Sequence, residues 1–411
     1  MPHSKNRAKN TTLVSTLPHP SEKNTANTAD KKSEIGTRQL CFFFAFLVPV
    51  SKLLEAPSVL AYYAKGDLLF PAFCHFLLQS FAIALLLFCA AKSDKSFFER
   101  VEDRLGTLAA KITYFFLAAY FLFYSLLPLL EFERYVYTAF FDAAPPFSAF
   151  LPFFIFSAYV CTKGLRSFAR SADLAFPLFL VSFVGLVAMS LPTADLTAVL
   201  PLFGTPVSSS LKGAARTFIH FSDSALFLPM LGSYRYKKGD GKKVLGSYWL
   251  GALAVLLFLA VFYGIFGPLS PIKTFAFDKT AQYFKPLATV GRIDLLFAYL
   301  ITVLLLFYYA LPLQLSTHCI CRALPKTALS LSKNRTLPTA VFVSAAVNLL
   351  LLLATLFLTE RYTKLYALIT YRLFPVFPFV AYLLPLFCLF VTIQYTKNKS
   401  KTDQKINQKN K

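Results

Sequence analysis

Charge is what this sequence has least of. Only 15% of its 411 residues are charged, where soluble proteins carry about a quarter, and that shortage excludes an ordinary water-facing surface. Cysteine pairs are missing too. Cys41, Cys74, Cys89, Cys161 and Cys388 stand alone, Cys319 and Cys321 are close together, and no C-x-x-C occurs, so neither a zinc or redox motif nor a disulfide framework is implied. Residues 1–36 are polar and lack an apolar core of the signal-peptide kind. The first apolar run is therefore expected to remain as a membrane span, behind a disordered tail. Gly239-Asp240-Gly241-Lys242-Lys243 lacks the spacing of a phosphate-binding loop and a preceding strand; it is expected to be a basic cytoplasmic loop. No cofactor or metal is expected.

What is present is apolar. Hydrophobic residues make up 56% of the chain and aromatic residues 17%, with 46 Phe, and the mean hydropathy is +0.56. Water-soluble cores of this size would leave a large apolar surface exposed, so the fold class is an all-α integral membrane protein, with the lipid bilayer as solvent. About 20 apolar residues cross about 30 Å of hydrocarbon. Ten candidate transmembrane helices occur, at 39–63, 67–91, 112–130, 147–162, 172–191, 212–234, 244–267, 293–319, 338–358 and 365–395. The net charge of +22 invites a nucleic-acid reading, but the cations lie between apolar runs and in the tails rather than on a basic face, and no nucleic-acid partner is expected.

Those cations are lopsided. Assigning connections alternately to two sides places 30 Lys and Arg on one side, 9 on the other and 3 within spans. The crowded side holds both tails, which puts both termini in the cytoplasm by the positive-inside rule and supports an even number of spans. Between the second and third spans, Phe97, Phe98, Val101, Leu105 and Leu108 recur at helical spacing among charged residues. That pattern predicts an amphipathic surface helix over 96–111, against the plainer alternative of a solvated loop. The Lys-rich tail at 396–411 suits anionic lipid or simply reinforces orientation.

Ionisable groups deep in a span are costly and normally face a protein cavity or partner. Lys52 lies 14 residues after Arg38 and 13 before Lys65, about 20 Å from either flank, too far to extend to water. Glu55, three residues on, is its expected partner on the same helical face, and Pro49 and Pro57 bracket the pair and interrupt backbone hydrogen bonding. The sixth span repeats the pattern with His220, Phe221, Ser222, Asp223 and Ser224, followed by Pro229. Asp223 has no basic neighbour in its own helix. Breaks at matching positions in two halves point to a midplane solute site; a purely structural ion pair or interhelical hydrogen bond is the competing reading.

Other polar residues favour simpler roles. His75 and Gln79 share a face and read as interhelical packing, whereas Arg216 is expected to extend outward and Arg372 is undecided. Tyr120, Tyr124, Tyr308 and Tyr309 suit cavity walls, although so aromatic a chain supplies such residues by chance. His220, Ser222 and Asp223 have the residue types of a hydrolase, but as near neighbours on one helix they point apart. No enzyme is expected.

Several segments in order resemble the permease-like B subunits of bacterial spore germinant receptors: Thr37-Arg38-Gln39-Leu40, Ala56-Pro57 followed by Lys65-Gly66-Asp67, the run from Gly164 through Arg166 to Arg170 with Pro177, Leu200-Pro201-Leu202-Phe203-Gly204, Phe221-Ser222-Asp223, and the run from Leu287 through Gly291 to Asp294. The resemblance covers nearly all of 37–395. It implies the amino acid, polyamine and organocation transporter fold: two inverted five-helix repeats with broken helices 1 and 6 around the binding site. It further implies a complex with A- and C-type subunits in the spore inner membrane, where a small nutrient, often an amino acid, triggers germination. Two departures stand out. Pro49-Val50-Ser51-Lys52 replaces the Gly-rich break of helix 1, and Gly164-Leu165-Arg166 stands where the family often has Gly-x-Glu.

The expected ligand site comprises Ser51, Lys52, Glu55, Phe221, Ser222, Asp223 and Ser224, with Lys52 holding a carboxylate and Asp223 an amine or proton. The rival reading is a proton- or sodium-coupled amino-acid transporter, and a third is a structural membrane scaffold.

Overall fold

Inside hydrocarbon a backbone N–H or C=O has no water to bond, so apolar runs close their hydrogen bonds internally as helices. The computed structural model describes residues 35–140, 146–200, 203–283, 293–324 and 339–393; most of the N-terminal tail, the whole C-terminal tail, and Pro201, Leu202 and residues 287–292 of the family-like segments lie outside them. Among the described residues the β-type pairings are isolated bridges from Ile35 and Leu231 to Tyr234. Everything else regular is helical.

The first span is α1 (Thr37–Phe42), a π turn (Phe43–Leu47), a 3-10 turn (Val48–Lys52) and α2 (Ala56–Ala64). After it come α3 (Leu69–Lys92), α4 (Phe97–Phe140), α5 (Pro146–Cys161), α6 (Gly164–Phe179) and α7 (Gly185–Ser190). The next span is again fragmented, as α8 (Val207–Thr217), a 3-10 turn (Phe218–Phe221) and α9 (Asp223–Phe227). The chain closes with α10 (Asp240–Phe266), α11 (Ala276–Gln282), α12 (Ile293–Ala323), α13 (Thr339–Leu358), α14 (Tyr362–Ala367) and α15 (Val376–Ile393).

Seven helices among the described residues are long and apolar enough to cross a membrane, and the two halves of the first span, bent by 62°, make an eighth crossing if taken as one. Two expected spans fall short of that measure for physical reasons: 147–162 yields the 16-residue α5, and 212–234 is divided by its break. Large apolar side chains such as Phe81, Ile155 and Phe357 project from the outer surface, as lipid requires.

The breaks follow from proline chemistry and from where the released backbone groups go. Pro49 enters the 3-10 turn and Pro57 the first turn of α2, where a missing N–H is tolerated. Two carbonyls freed by the bend, Leu53 O and Leu54 O, accept the N–H groups of Phe277 (3.1 Å) and Ala276 (2.9 Å) at the start of α11. In the second break Ser222 adopts φ −106°, ψ 43°, and Pro229 shapes the turn that follows α9.

Helix packing brings the breaks together. α2 lies along α8, while α12 packs broadly against α4 and also touches α5, α6 and α13. Gly251 in α10 is a point of close approach: a Cβ there would sit 2.7 Å from both the Phe44 carbonyl and the Pro49 ring. The absent side chain lets α10 lie directly on the first break.

Two expectations change. Residues 96–111 do open with a helix, capped reciprocally by Ser96 and Glu99 (2.8 and 3.2 Å), but its face docks on the protein. Phe97, Phe98 and Val101 are buried, Leu105 and Leu108 are exposed, and Gly106 at φ 87° breaks the helix between them. Arg100 explains the docking, since its buried guanidinium donates to the carbonyls of Cys89 (3.0 Å), Ser93 (2.7 Å) and Lys95 (2.9 Å). The segment from Gly239 to Lys243 is not a loop either; it forms the first turn of α10. Asp240 there accepts hydrogen bonds from Thr37 Oγ1 (2.7 Å), Tyr234 Oη (3.1 Å) and the Lys237 N–H (2.8 Å), tying α10 to the start of the first span.

Gly251→Ala is expected to destabilise the protein by about 1–3 kcal/mol through overpacking, read as a lower thermal midpoint in detergent. Gly246→Ala in the same helix, whose Cβ meets nothing within 4 Å, should leave the midpoint unchanged or raise it.

Candidate functional site

At the centre of the bundle the two broken spans meet through one ion pair. Lys52 Nζ donates to Asp223 Oδ1 at 2.8 Å, and both side chains are fully buried. A second ammonium hydrogen bond goes to the Val48 carbonyl at 3.2 Å, freed in the 3-10 turn, and the ring of Phe221 faces the charge at 5.5 Å. The other oxygen of Asp223 accepts from Tyr248 Oη of α10 at 3.1 Å. Each charge is thus paired and hydrogen-bonded, the condition under which burial is tolerated.

The expected partnership of Lys52 with Glu55 is not formed. Pairing at i, i+3 presumes helix through both residues, but 53–55 is a bend, and the break that made Lys52 conspicuous also removes the helical register that would have aligned it with Glu55. Lys52 instead reaches across to Asp223, which is why that acid needs no base in its own helix. Glu55, still buried, interacts electrostatically with Glu131 and Arg134 of α4.

The serines of the expected site lie on the breaks, with hydroxyls turned to carbonyls. Ser51 Oγ donates to Val48 O (3.2 Å), Ser222 Oγ to Phe218 O (3.0 Å) and Ser224 Oγ to Ala381 O in α15 (2.7 Å). Such bonds occupy backbone acceptors that an unbroken helix would satisfy. Phe221 stacks on His75 at 4.6 Å with the rings 10° from parallel. Of the seven residues, Lys52, Phe221 and Asp223 form one cluster, the serines support it, and Glu55 belongs elsewhere.

Neighbouring polar residues complete the surroundings. His75 bonds Ala214 O (2.8 Å), as packing between helices predicts. Gln79 does more than pack: its Oε1 accepts the Ser224 N–H (2.9 Å) and its Nε2 reaches Tyr382 Oη (3.3 Å), so it holds the second break open. Tyr124 and Tyr308 bond each other at 3.0 Å, and the buried Tyr120 hydroxyl has no partner of proper geometry. Arg216 does not extend freely; it donates to Thr370 O (2.6 Å) and lies 3.9 Å over the Tyr371 ring. Arg372 is exposed. Tyr248 and Glu131 escaped notice in the sequence, the first because one Tyr among 21 carries no signal, the second because it sits just past the end of its apolar run. His220, Ser222 and Asp223 do not share one helix, because the span breaks at Ser222, and they turn to three different partners.

The family model described as "Spore germination protein" matches residues 72–352. This chain belongs to the spore germination protein family. The match runs from α3 into α13 and includes the second break, while the first span of the spore permease precedes it. No curated protein matches the sequence. Among solved structures the permease resembles MhsT in complex with L-phenylalanine, with TM-score 0.53 and 13% identity over 82% of this chain and 87% of that one. It also resembles Mhp1, a nucleobase-cation-symport-1 family transporter in a closed conformation with bromovinylhydantoin bound, with TM-score 0.44 and 16% identity over 85% and 77% of the two chains. The likeness to MhsT shows a shared transporter fold.

Removing one charge of the central pair strands the other in the interior. Asp223→Ala or Lys52→Ala is expected to cost about 3–5 kcal/mol, whereas Lys52→Met with Asp223→Leu should recover most of it. Thermal unfolding of the purified spore permease in detergent checks both.

Proposed function

We propose that this chain is the membrane subunit of a spore germinant receptor that binds a small nutrient such as an amino acid between its two breaks and thereby triggers germination. The observation that carries this reading is the Lys52–Asp223 pair, which joins the two broken spans and is closed in this conformation. An amino acid offers a carboxylate and an ammonium. Its carboxylate replaces Asp223 on Lys52 while its ammonium replaces Lys52 on Asp223, so every buried charge keeps an opposite partner. That exchange separates the breaks by the length of the ligand. Phe221 and Tyr248 remain as walls, and the serine hydroxyls, each already near a loosened carbonyl, are available to turn. The solved complex of MhsT with L-phenylalanine is consistent with an amino-acid ligand.

Binding favours the arrangement in which the breaks are apart, and that differential affinity is what reaches A- and C-type partner subunits. The reading includes ten transmembrane helices over 37–395 in two inverted five-helix repeats with broken helices 1 and 6. It places the chain in the spore inner membrane with both tails, 1–36 and 396–411, in the cytoplasm, and gives it no catalytic step.

The test uses the full chain in detergent with each standard amino acid, L-phenylalanine included. At least one should raise the thermal midpoint, by an amount approaching about 2.7 kcal/mol at a hundredfold excess over its dissociation constant. None should do so in the Lys52→Met, Asp223→Leu variant, and spores carrying that variant should not germinate in response to the same amino acid. Stabilisation that persists in the variant overturns the site assignment. Concentrative uptake into proteoliposomes by this chain alone replaces the receptor by a coupled amino-acid transporter.

A further inference from the structure

A second buried cluster lies beside the ion pair and serves no part of the ligand exchange. Glu131 of α4 is 2% exposed; its Oε1 has no hydrogen-bond partner, and its Oε2 lies 3.9 Å from His220 Nε2. Glu55, buried in the first bend, interacts electrostatically with the same carboxylate. Arg134, one turn on from Glu131, is exposed, with its guanidinium 4.3 Å over the Tyr362 ring. The other groups in electrostatic reach of the cluster are Tyr309, Tyr362 and Tyr366, with Lys52 and His75 acting on His220. Lys52 is already committed to Asp223.

The charges do not balance if both acids are ionised. Two carboxylates then share one arginine that stands at the rim in solvent, and a buried negative charge without a close partner is strongly disfavoured. A carboxylate pair in such a setting relieves the strain by holding one proton between its members. Among the described residues no group of three His, Cys, Asp or Glu is arranged to hold a metal ion, so the donors do not form a cation cage.

We propose that Glu55 and Glu131, with His220 beside them, form a proton-binding site that takes up and releases a single proton. Its position couples it to the ion pair through the backbone. Glu55 follows Lys52 by three residues in the first break, and His220 precedes Asp223 by three in the second, so any movement that parts the breaks also parts the proton site. The proton site stands whether or not the ion pair takes an amino acid.

Infrared difference spectra of the full chain in lipid nanodiscs test this. The wild type should show a protonated-carboxyl stretch at neutral pH that disappears at alkaline pH, and Glu131→Gln and Glu55→Gln, which keep the side-chain shape, should each lack that band. Thermal stability of the wild type should fall as alkali removes the shared proton and leaves two buried charges, while Glu131→Gln stays flat over the same range. A band that is absent from the wild type, or unchanged in both variants, overturns the proposal. So does stabilisation by sodium chloride over choline chloride at fixed pH that is lost in both variants, since the site would then hold a metal cation.

Discussion

One buried ion pair organises the centre of this molecule. Lys52 and Asp223 come from segments 171 residues apart, and neither tolerates the interior alone. Their pairing demands that two interrupted helices meet face to face, and that demand fixes much else. Gly251 must be small so that α10 can press on the first break, Tyr248 must reach the second oxygen of Asp223, and Phe221 must cover the ammonium. A central ion pair is a poor source of net stability compared with packed hydrocarbon side chains. On the function proposed above, it serves as a contact whose partners an incoming zwitterion replaces.

The breaks are stable because their loosened backbone groups are answered one by one. Leu53 and Leu54 find the start of α11, the Ser224 N–H finds Gln79, and the hydroxyls of Ser51 and Ser222 fold back on carbonyls of their own turns. Lipid cannot supply such partners, so an interrupted span survives only inside a shell of other helices. This accounts for the position of α4, α10 and α12 around the breaks, and for an outer surface that carries the large apolar side chains.

Charge arithmetic separates the two polar clusters. Around Lys52 and Asp223 the charges cancel at contact distance, whereas the cation acting on both Glu55 and Glu131 is the exposed Arg134. The first arrangement suits exchange of one ionic partner for another, and the second suits exchange of a proton. Each bend contributes to both clusters, Lys52 and Glu55 from the first and Asp223 and His220 from the second, while Glu131 comes from α4.

The sequence by itself determined the membrane class, most of the spans and the places where two of them break, because hydrocarbon thickness and proline chemistry act locally and leave marks in composition and spacing. It also singled out Lys52 and Asp223 as charges out of place. The tertiary structure alone decided who pairs with whom. Helical spacing points to Glu55 as the partner of Lys52, yet the bend between them cancels that spacing, and the partner comes from the other half of the chain. Gln79 and Tyr248 became part of the site for the same reason: hydrogen bonds between helices depend on how the helices pack, and packing is a property of the whole bundle that no single segment encodes.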